Sequence, residues 1–332
     1  MLNGLFIMSD MFTDLVYPKE LRNEIGNLAN IYAKPLTRKE VQLDTSILQK
    51  AEIVFSGWGG PKMDKAFLEA APHLKAMFYA AGTIKHIVTE DSWNRNITIT
   101  TSADANAVPV AEYTLSQVLF TLKGGWQFVR DVQRRKEYPQ KPFHHLPGAF
   151  NSTVGIISLS TVGRKVAELL KPFNIRVLAY DPYADKKDEY ELGVELTSLS
   201  SLFRQSDVVS LHAPLLPATK GMITGDHLSS MKEHASFINT ARGAIVNENE
   251  MLAVLKERSD ITAILDVTEP EPPAKDSLIY TLPNVVLTPH IAGSEGKECG
   301  RLGAYMLEEF KRYIKGEDLR WRVTKEQFDS RA

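Results

Sequence analysis

The sequence predicts an α/β protein of two domains, each built on a doubly wound parallel sheet. Three observations lead to this prediction. The chain has 332 residues, more than a single hydrophobic core usually supports. Short apolar runs alternate with segments of helical periodicity, an alternation typical of parallel sheets. Near the middle of the chain, a strand-to-helix turn is followed by another strand that ends in an acidic residue, Asp181.

The composition indicates a soluble globular protein. Hydrophobic residues make up 43% and charged residues 24% of the chain, and the formal net charge is -2. This balance argues against a nucleic-acid partner or a membrane-surface patch, and no apolar run is long enough to cross a membrane. The N-terminus lacks the basic segment of a secretory signal. Cys299 is the single cysteine, so no internal disulfide is expected and the cytoplasm is the simplest location.

The first hundred residues contain short strands separated by short helices. The strand segments are apolar or β-branched, as in Leu5-Phe6-Ile7-Met8. Strands are predicted at 5–8, 53–55, 74–79 and 97–100, and helices at 61–71 and 89–95. Apolar residues from Val110 to Leu122 then recur at helical spacing and predict a long helix, which Gly124-Gly125 interrupts. The three prolines that mark the following loop are Pro139, Pro142 and Pro147.

A second α/β run begins at Thr153 and continues almost to residue 290. A helix is predicted at 163–172. Strands are predicted at 154–157, 176–180, 208–211, 236–238, 262–265 and 285–287. Six or seven strands with helices between them suit one doubly wound sheet. The tail from Lys297 to Gly316 is amphipathic, and we expect it to return to pack on the first domain.

The turn at 158–163 resembles a dinucleotide fingerprint in which only the last glycine, Gly163, is present. Ser158 and Ser160 replace the other two. The backbone amides of Thr161 and Val162 would face a pyrophosphate at the helix N-terminus. The β-carbon of Ser160 would crowd that approach, although its hydroxyl could donate to a phosphate oxygen. An ordinary tight turn is the alternative interpretation of this segment alone.

Asp181 ends the strand that follows this turn and its helix. Its carboxylate is placed to accept hydrogen bonds from ribose hydroxyls and would repel a 2′-phosphate. We therefore expect NAD rather than NADP as the cofactor, bound less tightly because of the two serines.

Three residues with ionisable side chains lie far apart in the chain, each in a short, recognisable sequence motif. They are Arg242 in Asn-Thr-Ala-Arg-Gly, Glu271 between two prolines, and His290 in Thr-Pro-His-Ile-Ala-Gly. A guanidinium holds a carboxylate in a forked pair and polarises the neighbouring carbonyl. An imidazole transfers protons near neutral pH, and a carboxylate orients it and favours its protonated form. Together they suit a site that binds an anionic 2-oxo acid and protonates its carbonyl oxygen.

Taken singly, these residues have plainer interpretations: a surface ion pair for Arg242, a loop residue for His290 and a solvated carboxylate for Glu271. Their joint occurrence in matching phrases favours catalysis. His212 ends a strand near the cofactor turn, where packing or a backbone contact is favoured over chemistry. No two histidines have the spacing of a helical metal site, so no metal is expected.

The chain resembles the D-isomer-specific 2-hydroxyacid dehydrogenase family, with glyoxylate/hydroxypyruvate reductases and phosphoglycerate dehydrogenases as relatives. The resemblance rests on Ala-Asn-Ala-Val-Pro-Val-Ala-Glu at 105–112, Ser-Asp-Val-Val-Ser-Leu-His-Ala-Pro at 206–214 and Ile-Asn-Thr-Ala-Arg-Gly at 238–243, with the phrases at 266–272 and 288–293. It implies two Rossmann-like or flavodoxin-like domains. The NAD-binding domain, 103–294, is inserted in a discontinuous substrate domain, 1–102 and 295–332.

The resemblance also implies roles for individual residues. Arg242, Glu271 and His290 take the catalytic roles, and Asp266 would reach the nicotinamide amide. The expected cofactor contacts are Ser158, Ser160, Thr161, Val162, Gly163, Asp181, His212, Thr240, Ala241, Arg242, Asp266, His290 and Gly293. The expected substrate contacts are Ala81, Gly82, Thr83, Arg242 and His290, where the amides of the loop at 81–84 receive the substrate carboxylate.

The helix after Ala105 resembles the family's dimer arm, which implies a homodimer, and the crossings near Ser102 and Ser294 would act as hinges. The expected activity is NAD-dependent reduction of a small 2-oxo acid. One alternative is an NAD(H)-sensing, corepressor-like binding protein with little catalysis. Another is a formate dehydrogenase, against which Glu271 argues, because that relative carries an amide at this position.

Overall fold

The computed structural model describes residues 1–138 and 146–330. The chain divides into two compact units, Met1–Asn106 with Ser294–Ala332, and Ala107–Gly293. The first border was expected after Ser102. The side-chain oxygen of Asn106 accepts a hydrogen bond from the amide of Ser294 at 2.9 Å, which ties the start of the long helix to the first unit. Pro139 and Pro142 lie outside the described residues.

The first unit contains a five-stranded parallel sheet in the order β2-β1-β3-β4-β5, the flavodoxin-like arrangement. Its strands are β1 (Asn3–Ile7), β2 (Asn30–Ile31), β3 (Ile53–Ser56), β4 (Ala76–Tyr79) and β5 (Thr98–Thr101). Its first helices are α1 (Asp10–Val16), α2 (Lys19–Leu28), α3 (Arg38–Leu43), α4 (Lys65–Ala70) and α5 (Glu90–Asn94).

The predicted helix at 61–71 is wrong in its first residues, because helix α4 begins only at Lys65. Asp64 is extended, and its side chain accepts from the amide of Phe67 at 3.0 Å. An acidic N-cap satisfies a free amide of the first turn, so the helix starts there rather than at Pro61. The amide of Met63 instead donates to the carbonyl of Ile87 at 2.8 Å.

The second unit contains a seven-stranded parallel sheet in the order β12-β11-β10-β9-β6-β7-β8. Its strands are β6 (Ser152–Ile157), β7 (Ile175–Tyr180), β8 (Glu195–Leu196), β9 (Val208–Leu211), β10 (Ser236–Asn239), β11 (Thr262–Leu265) and β12 (Val285–Leu287). The helices that follow α5 are α6 (Ala103–Leu122), α7 (Gly125–Arg135), α8 (Thr161–Leu170), α9 (Lys186–Leu192), α10 (Leu199–Gln205), α11 (Gly225–Ser229) and α12 (Glu248–Glu257).

Both faces of this sheet are covered. Ile156 packs in one hydrophobic cluster and Ile157 in another, and Ile238 and Phe237 are divided in the same way. Successive residues of a strand point to opposite faces, so two clusters require helices on both sides. The prediction of doubly wound parallel α/β domains is thus confirmed.

The last helices return to the first unit: α13 (Cys299–Lys315) and α14 (Lys325–Ser330). Helix α13 supplies Phe310, which is fully buried against Phe55 and Phe78 with ring centroids 5.2 and 5.4 Å apart. Edge-on aromatic contacts of this kind stabilise a core beyond the area they bury. Within the described residues, no helix combines the length and the apolar character that crossing a membrane requires.

Candidate active site

The strand order of the second unit creates a crevice between β6 and β9. The order reverses there, and ligands of such sheets bind beyond the carboxyl ends of the strands at this point. His212, directly after β9, donates its amide to the carbonyl of Ile157 at 2.9 Å. Its own carbonyl accepts from the hydroxyl of Ser160 at 2.7 Å. Backbone and hydroxyl groups therefore join the two strand ends, and His212 contributes a backbone contact.

The first serine of the turn has a left-handed backbone, with φ of 75° at Ser158. Glycine adopts this region readily, whereas a residue with a β-carbon is strained in it. The hydroxyl of Ser158 donates to Oδ2 of Asp181 at 3.1 Å, and the amide of Leu159 donates to the same oxygen at 2.8 Å. These hydrogen bonds therefore link the turn at Ser158 to Asp181, the residue that was expected to bind the ribose.

The second serine, Ser160, is the N-cap of helix α8 and accepts from the amide of Gly163 at 3.4 Å. The Ser160 hydroxyl donates to the carbonyl of His212. This differs from the expectation that it would donate to a phosphate oxygen. A β-carbon at Gly163 would lie 2.0 Å from the carbonyl oxygen of Ser158, so only glycine fits there. The predicted start of the helix, at Gly163, is also wrong: the Ser160 cap moves it to Thr161.

This turn can accept a dinucleotide. Within the described part of the chain, no acceptor takes the amides of Ser160, Thr161 and Val162. Three free amides at the N-terminus of a ten-residue helix form a binding place for a pyrophosphate. The two serines leave these amides open, so the residues present fit NAD.

His212 is buried, and Nε2 of its ring lies 2.9 Å from the hydroxyl of Ser210. Burial lowers the pKa of His212 from 6.5 to about 3. Between pH 6.5 and about pH 3, the ring is neutral in the folded protein but protonated in the unfolded chain. The unfolded state therefore binds more protons in this pH range. Stability is therefore lost as the pH falls through this window, by at most about 1.4 kcal/mol per pH unit.

We expect the free energy of unfolding, measured with urea, to decrease between about pH 6.5 and about pH 4.5 in the wild type. A His212→Gln variant lacks the titrating ring and should show a shallower decrease over the same range. Equal slopes in the two proteins would contradict the assignment of a neutral, buried His212.

The Arg242 loop begins where β10 ends. The side-chain oxygen of Asn239 accepts from the amide of Ala241 at 3.0 Å, and its amide group donates to the carbonyl of Arg242 at 3.2 Å. Asparagine thereby folds the loop around its own side chain. Arg242 is partly buried, and burial lowers its pKa while the carboxylate of Glu271 acts in the opposite direction.

Gly243 joins this loop to the one that carries Glu271. A β-carbon at Gly243 would lie 2.0 Å from the carbonyl carbon of Thr268 and 2.6 Å from the amide nitrogen of Glu269. The two backbones are in direct contact, which explains why glycine follows arginine in this phrase. On its other side, Glu269 donates its amide to the carboxylate of Glu248 at 3.0 Å.

Glu271 and His290 form a hydrogen-bonded pair, with 2.6 Å between Oε1 and Nδ1. Their side chains are 43% and 47% exposed, so the pair remains accessible to a ligand. His290 has φ of 57°, a conformation that residues other than glycine rarely adopt and that is enriched at functional sites. Its amide donates to the carbonyl of Asp266 at 2.9 Å.

In the first unit, the loop after β4 has the features of an anion site. The hydroxyl of Thr101 lies 2.7 Å from the carbonyl oxygen of Ala81 and 2.6 Å from that of Gly82. In a trans peptide the N–H points away from the carbonyl, so the amides of Gly82 and Thr83 face away from Thr101. Among described residues no acceptor takes either amide. Free backbone amides are available as hydrogen-bond donors to an anion.

The structure therefore gathers Arg242, Glu271 and His290 at one end of the second sheet. Ala241 lies in the Arg242 loop, and the Thr240 hydroxyl is 3.4 Å from that of Thr114. Gly293 is the last residue of the unit. The described residues contain no group of three or more potential metal-binding side chains. Sequence reasoning missed Thr101 and Asn239, whose hydrogen-bonding side chains at strand ends were the available signal.

A seven-stranded doubly wound sheet with an anion-binding turn at its switch point defines a dinucleotide-binding protein of the α/β class. Residues 115–292 match the family model described as D-isomer specific 2-hydroxyacid dehydrogenase, NAD binding domain. The chain belongs to this family, and the expected cofactor, NAD, is confirmed with it.

Several relatives are similar over most of the chain. A D-3-phosphoglycerate dehydrogenase of Methanocaldococcus jannaschii is 32% identical over 78% of this chain and 49% of its own length. A glyoxylate reductase of Korarchaeum cryptofilum is 31% identical over 77% of each chain. A structure of D-lactate dehydrogenase from Aquifex aeolicus, complexed with NAD and lactic acid, is 25% identical with a TM-score of 0.70, covering 95% of this chain and 96% of that one. The match spans about half the length of the phosphoglycerate dehydrogenases.

Proposed function

We propose that this protein is an NAD-dependent oxidoreductase that interconverts a small 2-oxo acid and its D-2-hydroxy acid, of the glyoxylate or hydroxypyruvate reductase type. One observation carries the proposal: Oε1 of Glu271 and Nδ1 of His290 lie 2.6 Å apart, at the end of the second sheet where Arg242 also lies. Arg242, Glu271 and His290 follow the neighbouring strands β10, β11 and β12, which supports a shared site for the cation, the acid and the proton-transfer group. Family membership and the glyoxylate reductase relative support the choice of reaction.

The hydrogen bond between His290 and Glu271 supports a proposal for which ring atom transfers the proton. Nδ1 of His290 bonds Glu271, and a carboxylate only accepts, so Nδ1 carries a hydrogen. Nε2 is then the atom that donates a proton to the substrate oxygen in reduction and removes it in oxidation. Bound NADH would supply the hydride to the carbonyl carbon. Arg242 holds the carboxylate and polarises the carbonyl that is to be reduced.

The loop at 81–84 is proposed to receive the substrate carboxylate, with the first unit as the substrate domain and the second as the NAD-binding domain. The free amides of Gly82 and Thr83 support this role, because they are fixed donors for an anion. The alternative of a corepressor-like NAD(H) sensor has no support in the comparisons. The accessible pair of Glu271 and His290 also favours catalysis.

The test is a screen of 2-oxo acids, including glyoxylate, hydroxypyruvate and pyruvate, with NADH and with NADPH at the nicotinamide absorbance band. We expect turnover with at least one small 2-oxo acid and a preference for NADH, because Asp181 would repel a 2′-phosphate. Saturable NADH binding without turnover of any acid would instead favour the sensor. The absence of binding would refute the cofactor role.

The proposal includes a homodimer located in the cytoplasm. Helix α7 supports the dimer, because none of its residues is buried although apolar residues recur in it. Val129 of this helix and the neighbouring Phe120 are 40% and 41% exposed, and exposed apolar patches commonly mark interfaces. We expect light scattering to give the mass of two chains for the wild type. A Val129→Glu variant should give the mass of one chain, and a monomeric wild type would contradict the dimer.

A further inference from the structure

A chain of hydrogen bonds runs from helix α6 to the loop that carries His290. The hydroxyl of Tyr113 lies 3.0 Å from that of Thr288, and Thr288 in turn donates to Oδ1 of Asp266 at 2.6 Å. Asp266 is almost completely buried. A buried carboxylate needs such donors, because an unpaired one is strongly destabilising.

The direction of this chain follows from the number of hydrogens. Thr288 has a single hydroxyl hydrogen, which it gives to the carboxylate of Asp266. The Thr288 oxygen can therefore only accept from Tyr113, and the phenol must be the donor. Burial raises the pKa of Tyr113, and the charge of Asp266 acts in the same direction, so the phenol keeps its hydrogen at neutral pH.

Asp266 also accepts hydrogen bonds from the backbone that directly follows His290 in the chain. Its two carboxylate oxygens accept from the amides of Ile291 and Ala292 at 2.9 and 2.8 Å, while its carbonyl accepts from the amide of His290. His290 sits between these contacts with φ of 57°. A strained residue keeps such a conformation only when its surroundings fix it, and Asp266 supplies that restraint.

We propose that Tyr113 and Thr288 are positioning residues that act through Asp266 to hold His290 against Glu271. The reaction in which His290 would be used rests on the proposed function, but the restraint itself does not. Helix α6 also contacts the other catalytic loop, because the hydroxyls of Thr114 and Thr240 lie 3.4 Å apart. One helix thus touches the loops of both Arg242 and His290.

The test compares Tyr113→Phe and Thr288→Val with Thr288→Ser, which keeps the hydroxyl. Tyr32→Phe is the matched control, because it removes a tyrosine hydrogen bond of 2.7 Å in the first unit. We expect kcat to fall about tenfold in the first two variants, the size of one lost hydrogen bond. Thr288→Ser and Tyr32→Phe should remain near the wild type.

A second readout needs neither cofactor nor turnover. Amide hydrogen exchange of His290, Ile291 and Ala292 should become about tenfold faster in Tyr113→Phe and Thr288→Val, and not in the two other variants. Unchanged exchange at these amides would overturn the proposal. So would faster exchange spread evenly over the second unit, which would indicate a general loss of stability. If the wild type lacks turnover, the proposed function fails, while the exchange measurement still decides this inference.

Discussion

Replacement of His290 by alanine is expected to lower kcat for reduction of a 2-oxo acid by roughly 10²–10⁴-fold, the range of general acid catalysis. The structure gives the physical reason. Nδ1 of His290 lies 2.6 Å from Oε1 of Glu271, so Nε2 is the ring atom that we propose protonates the substrate oxygen. Steady-state kinetics with NADH and the best acid of the screen provide the measurement.

Glu271→Gln is compared with His290→Ala as a milder change at the same hydrogen-bonded pair. An amide retains a hydrogen-bonding oxygen but lacks the negative charge of the carboxylate, so we expect a smaller loss of kcat than in His290→Ala. The affinity for NADH, measured by fluorescence titration, should stay near the wild-type value in both. Near-native kcat in His290→Ala would refute the role assigned to this histidine.

Replacement of Gly243 by alanine is expected to have the second-largest effect, although Gly243 carries no chemical group. Its β-carbon would lie 2.0 Å from the carbonyl carbon of Thr268, and backbone atoms cannot rotate away as a side chain does. The loops of Arg242 and Glu271 must then separate. We expect kcat/KM to fall about 100-fold, as for small displacements of catalytic groups, and the free energy of unfolding to fall by roughly 3 kcal/mol.

Gly26→Ala is the matched control for this change. Gly26 lies inside helix α2, and nothing is within 4 Å of the β-carbon it would gain. Because alanine favours helix more than glycine does, this variant should be as stable as the wild type or slightly more stable. A Gly243→Ala protein with wild-type kinetics and stability would show that the two loops do not need this contact.

The fold was predictable because its signals are local. Seven parallel strands covered on both faces require continuous apolar runs, and those of β6, β9 and β11 are visible in the sequence. The two-residue strands β2 and β8 and the helices α1 to α3 were not predicted. These elements are short, and residues distant in the sequence stabilise them by packing against them, as α13 does for α1 and α2.

The sequence suggested the residues of the candidate site and the hydrogen bond between Glu271 and His290, which the structure contains, but not the rest of the site's geometry. Family phrases identified Arg242, Glu271 and His290, and the structure brings them together. The tie between Ser158 and Asp181 and the left-handed backbone of His290 could not be read from the sequence. Both depend on partners from other strands, whose register is set by the packed sheet rather than by neighbours along the chain.

The proposed site for hydride transfer to a 2-oxo acid is formed by Arg242, Glu271 and His290 together. Its most direct test uses NADH deuterated at the reactive ring carbon, with mass spectrometry and chiral analysis of the product. We predict deuterium at C2 of the 2-hydroxy acid for the wild type, with D configuration for products such as those of hydroxypyruvate and pyruvate, and a loss of this product in Arg242→Ala. Absence of deuterium at C2 in the wild-type product, or undiminished transfer in Arg242→Ala, would contradict the claim.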